Sequence, residues 1–471
     1  MMEFKFYEEE QPIVDAIAQA AEELGLSTFL VGGFVRDRLI NRPSVDIDVV
    51  CVGDGIELAK RVGEIMKSAS QVVVFKRFGT AMIKLNDIEV EFVGARKESY
   101  SRNSRKPEVE PGTIEDDQNR RDFTINAMAI SLNKEDFGTL IDPFDGVGDI
   151  GRRLIRTPLE PGKTFSDDPL RMMRAVRFAA QLDYDIDPVT LEGIKTHSDR
   201  LEIISMERIV TELNKIIVSA TPSKGIDTLS ETGLLKHFLP EFEELRGVEI
   251  INNIGHKDNY YHTLQVLDNL SMETEDLWLR WAAILHDIAK PPTKRFDRER
   301  GWTFHGHEVV GARWVPKIFK RLKLPLDNKM RFVQKMVRLH LRPISLTKEE
   351  ITDSAIRRLL FDAGDDIDDL MMLCKADITS KNDAKVKRIK ENYERVKVLL
   401  REVEEKDKIR NWQPPITGQI IMDTFQIKPS REVGVIKDNI REAILDGLIT
   451  NDYEAAFEFM LAEGEKLGLK S

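Results

Sequence analysis

At 471 residues the chain is too long for one core and implies about three domains. A hydrophobic fraction of 41% supplies sizeable cores, and the absence of any run of eighteen apolar residues leads us to expect no membrane span. The net charge of −11 excludes an indiscriminate binder of nucleic-acid backbones, which needs a surplus of Lys and Arg.

Against that acidic background, residues 151–177 carry seven basic side chains (Arg152, Arg153, Arg156, Lys163, Arg171, Arg174, Arg177) and three acidic ones. Such a stripe implies an addressed polyanion site with repulsion elsewhere. The N-terminal stretch MMEFKFYEEEQP is acidic and has no apolar signal core, so nothing in it marks export. Cys51 and Cys374 lie far apart in apolar contexts and read as buried free thiols of a reducing cytoplasm.

In chain order, residues 11–25 show helical spacing and stop at Gly25. The stretch LVGGFVRDRLINRPSVDIDVV (30–50) follows. Leu30-Val31 ends a strand, Gly32-Gly33 turns without side chains, and Phe34–Ile40 reads as a helix. Asp46 and Asp48 flank Ile47 at the start of a second strand, so both carboxylates share one face. Like charges side by side are costly unless a cation joins them. Carboxylates hold Mg²⁺, and a bare glycine turn at a helix start accepts phosphate. The combination points to a metal-bound nucleotide triphosphate.

A helix is expected from Ile56 to Ser68, then strands at 71–76, 80–85 and 88–93, making a small α+β head. Glu91 reads equally as a third acid beside the aspartate pair or as a solvent-facing strand residue. Residues 97–118 lack apolar periodicity and read as a long flexible loop. The loop ends in NRRDFTINAM (119–128). The turn IDPFDG (141–146) reads as a hinge out of the head. From Asp167 onward the pattern is helical. Asp168 is expected at an N-cap with Pro169 at the first helical position. Arg171, Arg174 and Arg177 recur at threes on one face, with no acid one turn beyond any of them, as an anion or base contact would require.

These motifs together resemble the class II CCA-adding enzyme and bacterial poly(A) polymerase family of nucleotidyltransferases. The resemblance covers roughly residues 25–240 and rests on VGGFVRDRLINRPSVDIDVV, RRDFTINAMAI, IDPFDGVGDI, SDDPLRMMRAVRFAAQL and MERIVTELNKII, in family order. One departure is that Asp167 stands where the family usually has Glu, with the charge kept and the reach shortened. The resemblance implies that Asp46 and Asp48 ligate catalytic Mg²⁺. It implies that Gly32, Gly33 and Arg36 approach the phosphates and that Arg121 contacts the nucleotide. Asp168 and Arg171 would read the base, with Arg174 and Arg177 supporting the nucleotide.

The chemistry fits. A ribose 3′-OH attacks an α-phosphate and pyrophosphate leaves, with no side-chain nucleophile needed. Cytosine and adenine both set an exocyclic amine donor beside a ring-nitrogen acceptor. A carboxylate beside a guanidinium therefore selects C and A without a template. The expected partners are a tRNA 3′ end, CTP and ATP. The loop at 97–118 resembles one associated with complete CCA addition. CC-only, A-only and poly(A) synthesis are the alternatives within the family.

The second half carries His262 in YYHTLQVLDNL, His286-Asp287 after an apolar stretch, His305 and His307 in TFHGHEVVGA, and Asp377 in LCKADITSKN. Four of the chain's eight histidines fall in this pattern, which resembles the HD superfamily of metal-dependent phosphohydrolases. The resemblance implies that His262, His286, Asp287 and Asp377 bind a divalent transition metal. The activity it suggests is hydrolysis of 2′,3′-cyclic or terminal phosphates on tRNA ends. A phosphohydrolase whose head only senses nucleotides is the rival reading.

Residues 384–408 read as a charged, solvated connector, and 416–468 as amphipathic helices resembling the segment after the HD domain in some such enzymes. The expected division is a nucleotidyltransferase head (1–148), a helical neck (149–248), an HD domain (249–383) and a connector with tail (384–471). Oligomeric state is left open.

Overall fold

The computed structural model describes residues 4–470 apart from 5, 45, 69–70, 86, 100–107, 347–351, 380–382 and 408–411. The chain forms two compact units, Met1–Phe238 and Leu239–Ser471.

The first unit opens with the helix Gln11–Leu24, which Gly25 ends in the left-handed conformation (φ 66°). Nine strands follow before the unit turns helical: β1 (Thr28–Val31), β2 (Asp46–Cys51), β3 (Val72–Phe75), β4 (Thr80–Leu85), β5 (Ile88–Gly94), β6 (Arg96–Ser99), β7 (Glu108–Pro111), β8 (Ala129–Ser131) and β9 (Leu140–Ile141). Seven of them make a mixed sheet in the order β3-β4-β5-β2-β1-β8-β9. β2 runs parallel to β5 and antiparallel to β1. Alternation sends Ile47, Val49 and Cys51 into a core with Val14, Ile17, Leu58 and Val62 of the helices Gln11–Leu24 and Gly55–Ile65. Val50 packs on the opposite face with Phe29, Val31 and Ala129. Asp46 and Asp48 share that second face. Each such buried Val, Ile or Leu contributes about 1.5–3 kcal/mol, and a one-residue register slip would bury the aspartates instead.

The described parts of 97–118 are ordered, contrary to the expected loop. β6 and β7 pair antiparallel, and the helix Ile114–Asn119 starts at a capping box between Thr113 and Asp116. Backbone pairing needs no apolar periodicity, so the pattern hid it. The tip, residues 100–107, lies outside the described residues. The expected hinge is a tight turn: the Asp142 carboxylate accepts from the backbone N–H of Gly146 (2.7 Å) and Val147 (2.9 Å).

Helices then dominate, including Pro161–Asp167, Leu170–Leu182 and Met206–Ile217. Pro169, not Asp168, is the N-cap of Leu170–Leu182, one residue later than the sequence implies. Asp168 still caps, accepting from Leu170 N–H at 3.1 Å.

The second unit is built from helices Asn259–Ser271, Leu277–Leu285, His307–Arg321, Asn328–Leu339 and Ile367–Ala376, with two small hairpins at 250–255 and 295–303. The long helix Asp383–Asp407 is not a solvated connector. Tyr393, Val396, Leu400 and Val403, at helical spacing, are buried, and the Tyr393 hydroxyl donates to Met371 O at 2.6 Å. The charges masked that stripe. Cys51 and Cys374 are buried and unlinked. Among the described residues no helix is long and apolar enough to cross a membrane.

Candidate active site and candidate metal centre

A cavity of about 680 Å³ in the first unit is lined by Gly32, Gly33, Arg36, Asp46, Asp48, Glu91, Arg121, Asp122, Asn126, Arg174 and Arg177. That size suits a nucleotide-scale ligand. Glu91 of β5 stands in register with Asp48 of β2, which supports the third-acid reading over the bland one. Burial raises the Asp48 pKa, Arg121 opposes the shift, and Glu91 and Asp46 add to it. A cation placed there would relieve that strain of like charges.

Gly32 has φ 75°, and a Cβ on it would lie 3.0 Å from an Arg121 guanidinium nitrogen and 3.1 Å from Asp48 Oδ2. The bare backbone thus keeps the space beside the carboxylate open. A metal-bound phosphate fits this arrangement in size and charge.

The arginines are held in place. Arg36 donates to Asn126 Oδ1 (2.7 Å) and to Asp37 Oδ1 (2.9 Å). Arg121 donates to Asp117 Oδ2 (2.9 Å). Arg174 pairs with Asp122 at 2.6 Å and Arg177 with Glu212 at 3.0 Å. This corrects the expectation of an arginine stripe without acids, because its partners come from distant segments. Likewise Arg152 and Arg156 pair with Asp149, and Arg153 with Asp183. Burial pushes Arg177 down to about 10, and Glu212 resists the fall. Burial would raise Asp122, but Arg174, Asn126 and Arg171 outweigh it and hold the carboxyl at about 2.

Asp168 and Arg171 do not line the cavity. Asp168 lies 3.3 Å from Arg208, and Arg171 donates to Arg120 O at 2.5 Å. Arg171 adjoins the site through the Arg120 carbonyl and the charge of Asp122. Asp117, Asp122, Asn126 and Glu212 were missed as members of the site. Asp122 and Asn126 lie inside NRRDFTINAM, where the adjacent basic pair is the stronger local signal.

The second unit brings His262, His286, Asp287 and Asp377 together as expected. His262 Nε2 is 2.8 Å from Asp377 Oδ1 and 3.4 Å from Asp287 Oδ2. It adds His307 and His340, whose Nε2 atoms lie 3.2 and 3.8 Å from Asp287 Oδ1. His305 is exposed and stands apart from them. His307 lies in the TFHGHEVVGA segment, whereas His340, at an apolar helix end, carries no local signal.

Each ring is fixed from behind. Nδ1 of His286, His307 and His340 donates to the carbonyls of Ala283 (2.7 Å), Phe304 (2.7 Å) and Val337 (2.8 Å). His262 Nδ1 meets Thr379 Oγ1 at 2.8 Å. His286 and His340 each follow a helix C-terminus, so their rings satisfy orphan carbonyls there. This leaves Nε2 as the inward atom on all four, as in metal-ligating histidines whose other ring nitrogen is held by a carbonyl or hydroxyl.

His286 Nε2 is buried with no aligned hydrogen-bond partner, although Asp287 Oδ2 lies 3.2 Å away. An orphaned buried nitrogen in a His/Asp cluster fits a divalent metal. Two triads, His262-His286-Asp287 and Asp287-His307-His340, share Asp287. Burial drives His340 down to about 3, and neighbouring His286 adds to the fall. Burial opposes ionisation of Asp287, but His286 and Lys290 hold its pKa well below the usual carboxylate range.

Three family models match the chain in order: the poly(A) polymerase head domain over 28–156, the probable RNA- and SrmB-binding site of polymerase A over 183–245, and the HD domain over 259–380. The A-adding tRNA nucleotidyltransferase of Deinococcus radiodurans is 32% identical over 356 residues, which span 74% of this chain and 75% of that protein. The chain belongs to the tRNA nucleotidyltransferase family.

The CCA-adding enzyme of Limosilactobacillus fermentum is 36% identical over 49% of this chain and 55% of its own length. The A-adding enzyme of Aquifex aeolicus is 33% identical over 64% of this chain, and the match spans 35% of that protein. A solved CCA-adding enzyme with CTP shares the fold at TM-score 0.65 and 23% identity, covering 99% of this chain and 97% of that one. A Thermotoga maritima CCA-adding enzyme with tRNA gives TM-score 0.60 at 21% identity over 97% and 96%.

Proposed function

We propose that this chain adds C, C and A to the 3′ ends of tRNA from CTP and ATP without a nucleic-acid template. The observation that carries the reading is the pair of aspartates on one face of β2, set beside the open Gly32 turn and opposite Arg121 in a nucleotide-sized cavity. Asp46 and Asp48, with Glu91 across the strand boundary, would hold Mg²⁺, which supplies charge neutralisation at the α-phosphate and acidifies the attacking 3′-OH. Arg36 and Arg121, fixed by Asn126 and Asp117, orient the phosphates in line with that hydroxyl. The paired Arg174 and Arg177 support the nucleotide from the cavity wall. Asp168 and Arg171 select the base by offering an acceptor beside a donor. The head is taken to end near residue 148 and the neck near 248, with the HD domain running to 383. Two buried thiols fit work in a reducing cytoplasm.

Two similar proteins are named A-adding enzymes, which favours addition of the final A alone as the second reading. Parallel incubations of the protein with tRNA lacking its 3′ CCA and with tRNA ending in CC, each with CTP, ATP and Mg²⁺, decide, read on a sequencing gel. Three added nucleotides support the proposal, one A on tRNA ending in CC supports the second reading, and no extension on any primer rejects both.

For the second unit, His262, His286, Asp287, His307, His340 and Asp377 would hold divalent transition metal. The activity they would support is hydrolysis of 2′,3′-cyclic or terminal phosphates at RNA ends. Equal release from cyclic phosphate by the metal-loaded protein and its His286→Ala, Asp287→Ala variant would reject it.

A further inference from the structure

Phe178 lines the nucleotide-scale cavity of the first unit and is 7% exposed. Three guanidiniums converge on its ring: the central carbons of Arg177, Arg36 and Arg174 lie 4.1, 4.9 and 5.4 Å from the ring centroid. Two of them share its helix, Leu170–Leu182, where Arg174 sits one turn before the ring and Arg177 directly precedes it. Arg36 arrives from the helix Gly33–Leu39, which begins at the Gly32 turn. The ring is itself held, meeting Phe123 edge-on at 5.8 Å and 81°.

Carboxylates alone do not explain that convergence. Asp37, Asp122 and Glu212 come from three separate segments and each pairs with one guanidinium, at 2.8, 2.6 and 3.0 Å. Those pairs balance charge, but they do not gather three like-charged planes at one place, where the cations repel. An aromatic face is negative and attracts a guanidinium lying over it within about 6 Å. A leucine would fill much of the same space without that attraction. The ligand such a cluster suits is a triphosphate, whose charge is spread along three groups and calls for several donors at once.

We propose that Phe178 is a positioning residue that gathers Arg36, Arg174 and Arg177 into one preassembled site for the triphosphate of the incoming nucleotide. It touches no reacting atom and acts through the three guanidiniums. The inference rests on reading this cavity as the nucleotide site. A preassembled site binds ground state and transition state alike, so the effect belongs to KM and not to kcat. The arginines answer phosphate and not base, so CTP and ATP lose affinity together.

The test keeps the ring and weakens its negative face. Phe178 is replaced in the full chain by mono-, di- and trifluorinated phenylalanine. MgCTP affinity is measured without primer by calorimetry, and KM and kcat for CTP and ATP by primer extension. The Kd for MgCTP and both KM values should rise step by step to about tenfold, with kcat held within about threefold. Phe178→Leu should lose at least as much as the trifluorinated protein. The same series at Phe165, buried in the helix Pro161–Asp167 with no cation over its ring among the described residues, should change each value by less than about twofold.

A flat series at Phe178, a fall in kcat at constant KM, or an equal response at Phe165 overturns the proposal. A loss confined to CTP or to ATP overturns it as well, because it marks a base contact. If the unaltered protein extends no primer while MgCTP affinity still falls along the series, the extension activity fails and the role of Phe178 stands. Primer extension with a flat series sinks the role of Phe178 alone, and an unaltered protein that binds no MgCTP rejects both.

Discussion

Asp48 stands half-buried at the rim of a cavity of about 680 Å³, whereas Asp287 is 1% exposed among four histidines. Around Asp48 the cationic side chains are already paired: Arg36 with Asp37, Arg121 with Asp117, Arg174 with Asp122 and Arg177 with Glu212. Around Asp287 the ring nitrogens are aimed inward and one, His286 Nε2, has no aligned partner. The first region spends its acids on holding donors still in a space that a large substrate enters and leaves. The second presents preformed acceptors to a small ion, with backbone carbonyls fixing each ring. In the first region the charges answer one another at 2.6 to 3.0 Å, against carboxylates that are mostly buried. The second needs every polar atom answered, and there only a cation answers the last.

The largest expected effect separates the two regions by activity. Asp48→Ala should cut nucleotide incorporation by about a thousandfold or more in single-turnover primer extension, with manganese bound at the His/Asp centre unchanged. A loss below tenfold would mean that Asp48 does not hold the reacting phosphate.

The reciprocal variant, Asp287→Asn, removes the carboxylate shared by both triads and nearly preserves shape. Metal content at the centre should fall by tenfold or more by elemental analysis, and extension should stay within twofold. Unchanged metal content breaks the contrast.

A third variant bears on Asp168 and Arg171, which we propose read the base although they lie outside the cavity lining. Asp168→Ala should reduce discrimination of C and A over U and G by about tenfold to a hundredfold, the worth of one well-placed bidentate contact. Unchanged incorporation ratios across the four triphosphates would remove Asp168 from that role.

The smallest effect tests the scaffolding. Asp122 has its folded pKa depressed to about 2, below the unfolded carboxylate value. Its contribution is therefore present above pH ~3.9 and is lost as pH falls through the folded value. Asp122→Asn should flatten the acid limb of stability between about pH 4 and pH 2 by about 2 kcal/mol, at ~1.4 kcal/mol per pKa unit. An acid limb of equal slope in both proteins would show that Arg174 does not act through this carboxylate.

Local rules made the pairing of two carboxylates on one strand face legible. Alternation along DIDVVC put Asp46 and Asp48 on one face, and glycines at 32 and 33 marked the close approach. The His286-Asp287 pair was legible through its resemblance to the HD pattern, and the β-like run 80–85 between tight turns is the strand Thr80–Leu85. Asp168 misled by one position because its side chain caps from outside the proline.

What the sequence could not decide is who stands across from whom. Asp122 meets Arg174 across 52 residues and Asp117 shares a helical turn with Arg121, yet nothing in either segment distinguishes these pairs from solvated charges. His340 looks like any polar residue at an apolar helix end until the fold sets its Nε2 3.4 Å from that of His307. By itself, the sequence determined the periodicities, the caps and the residues able to do the chemistry, because these depend on neighbours a few bonds away. The tertiary structure decided which arginines are neutralised and how many histidines converge, because charge pairing and ligand geometry depend on distances that chain separation does not encode.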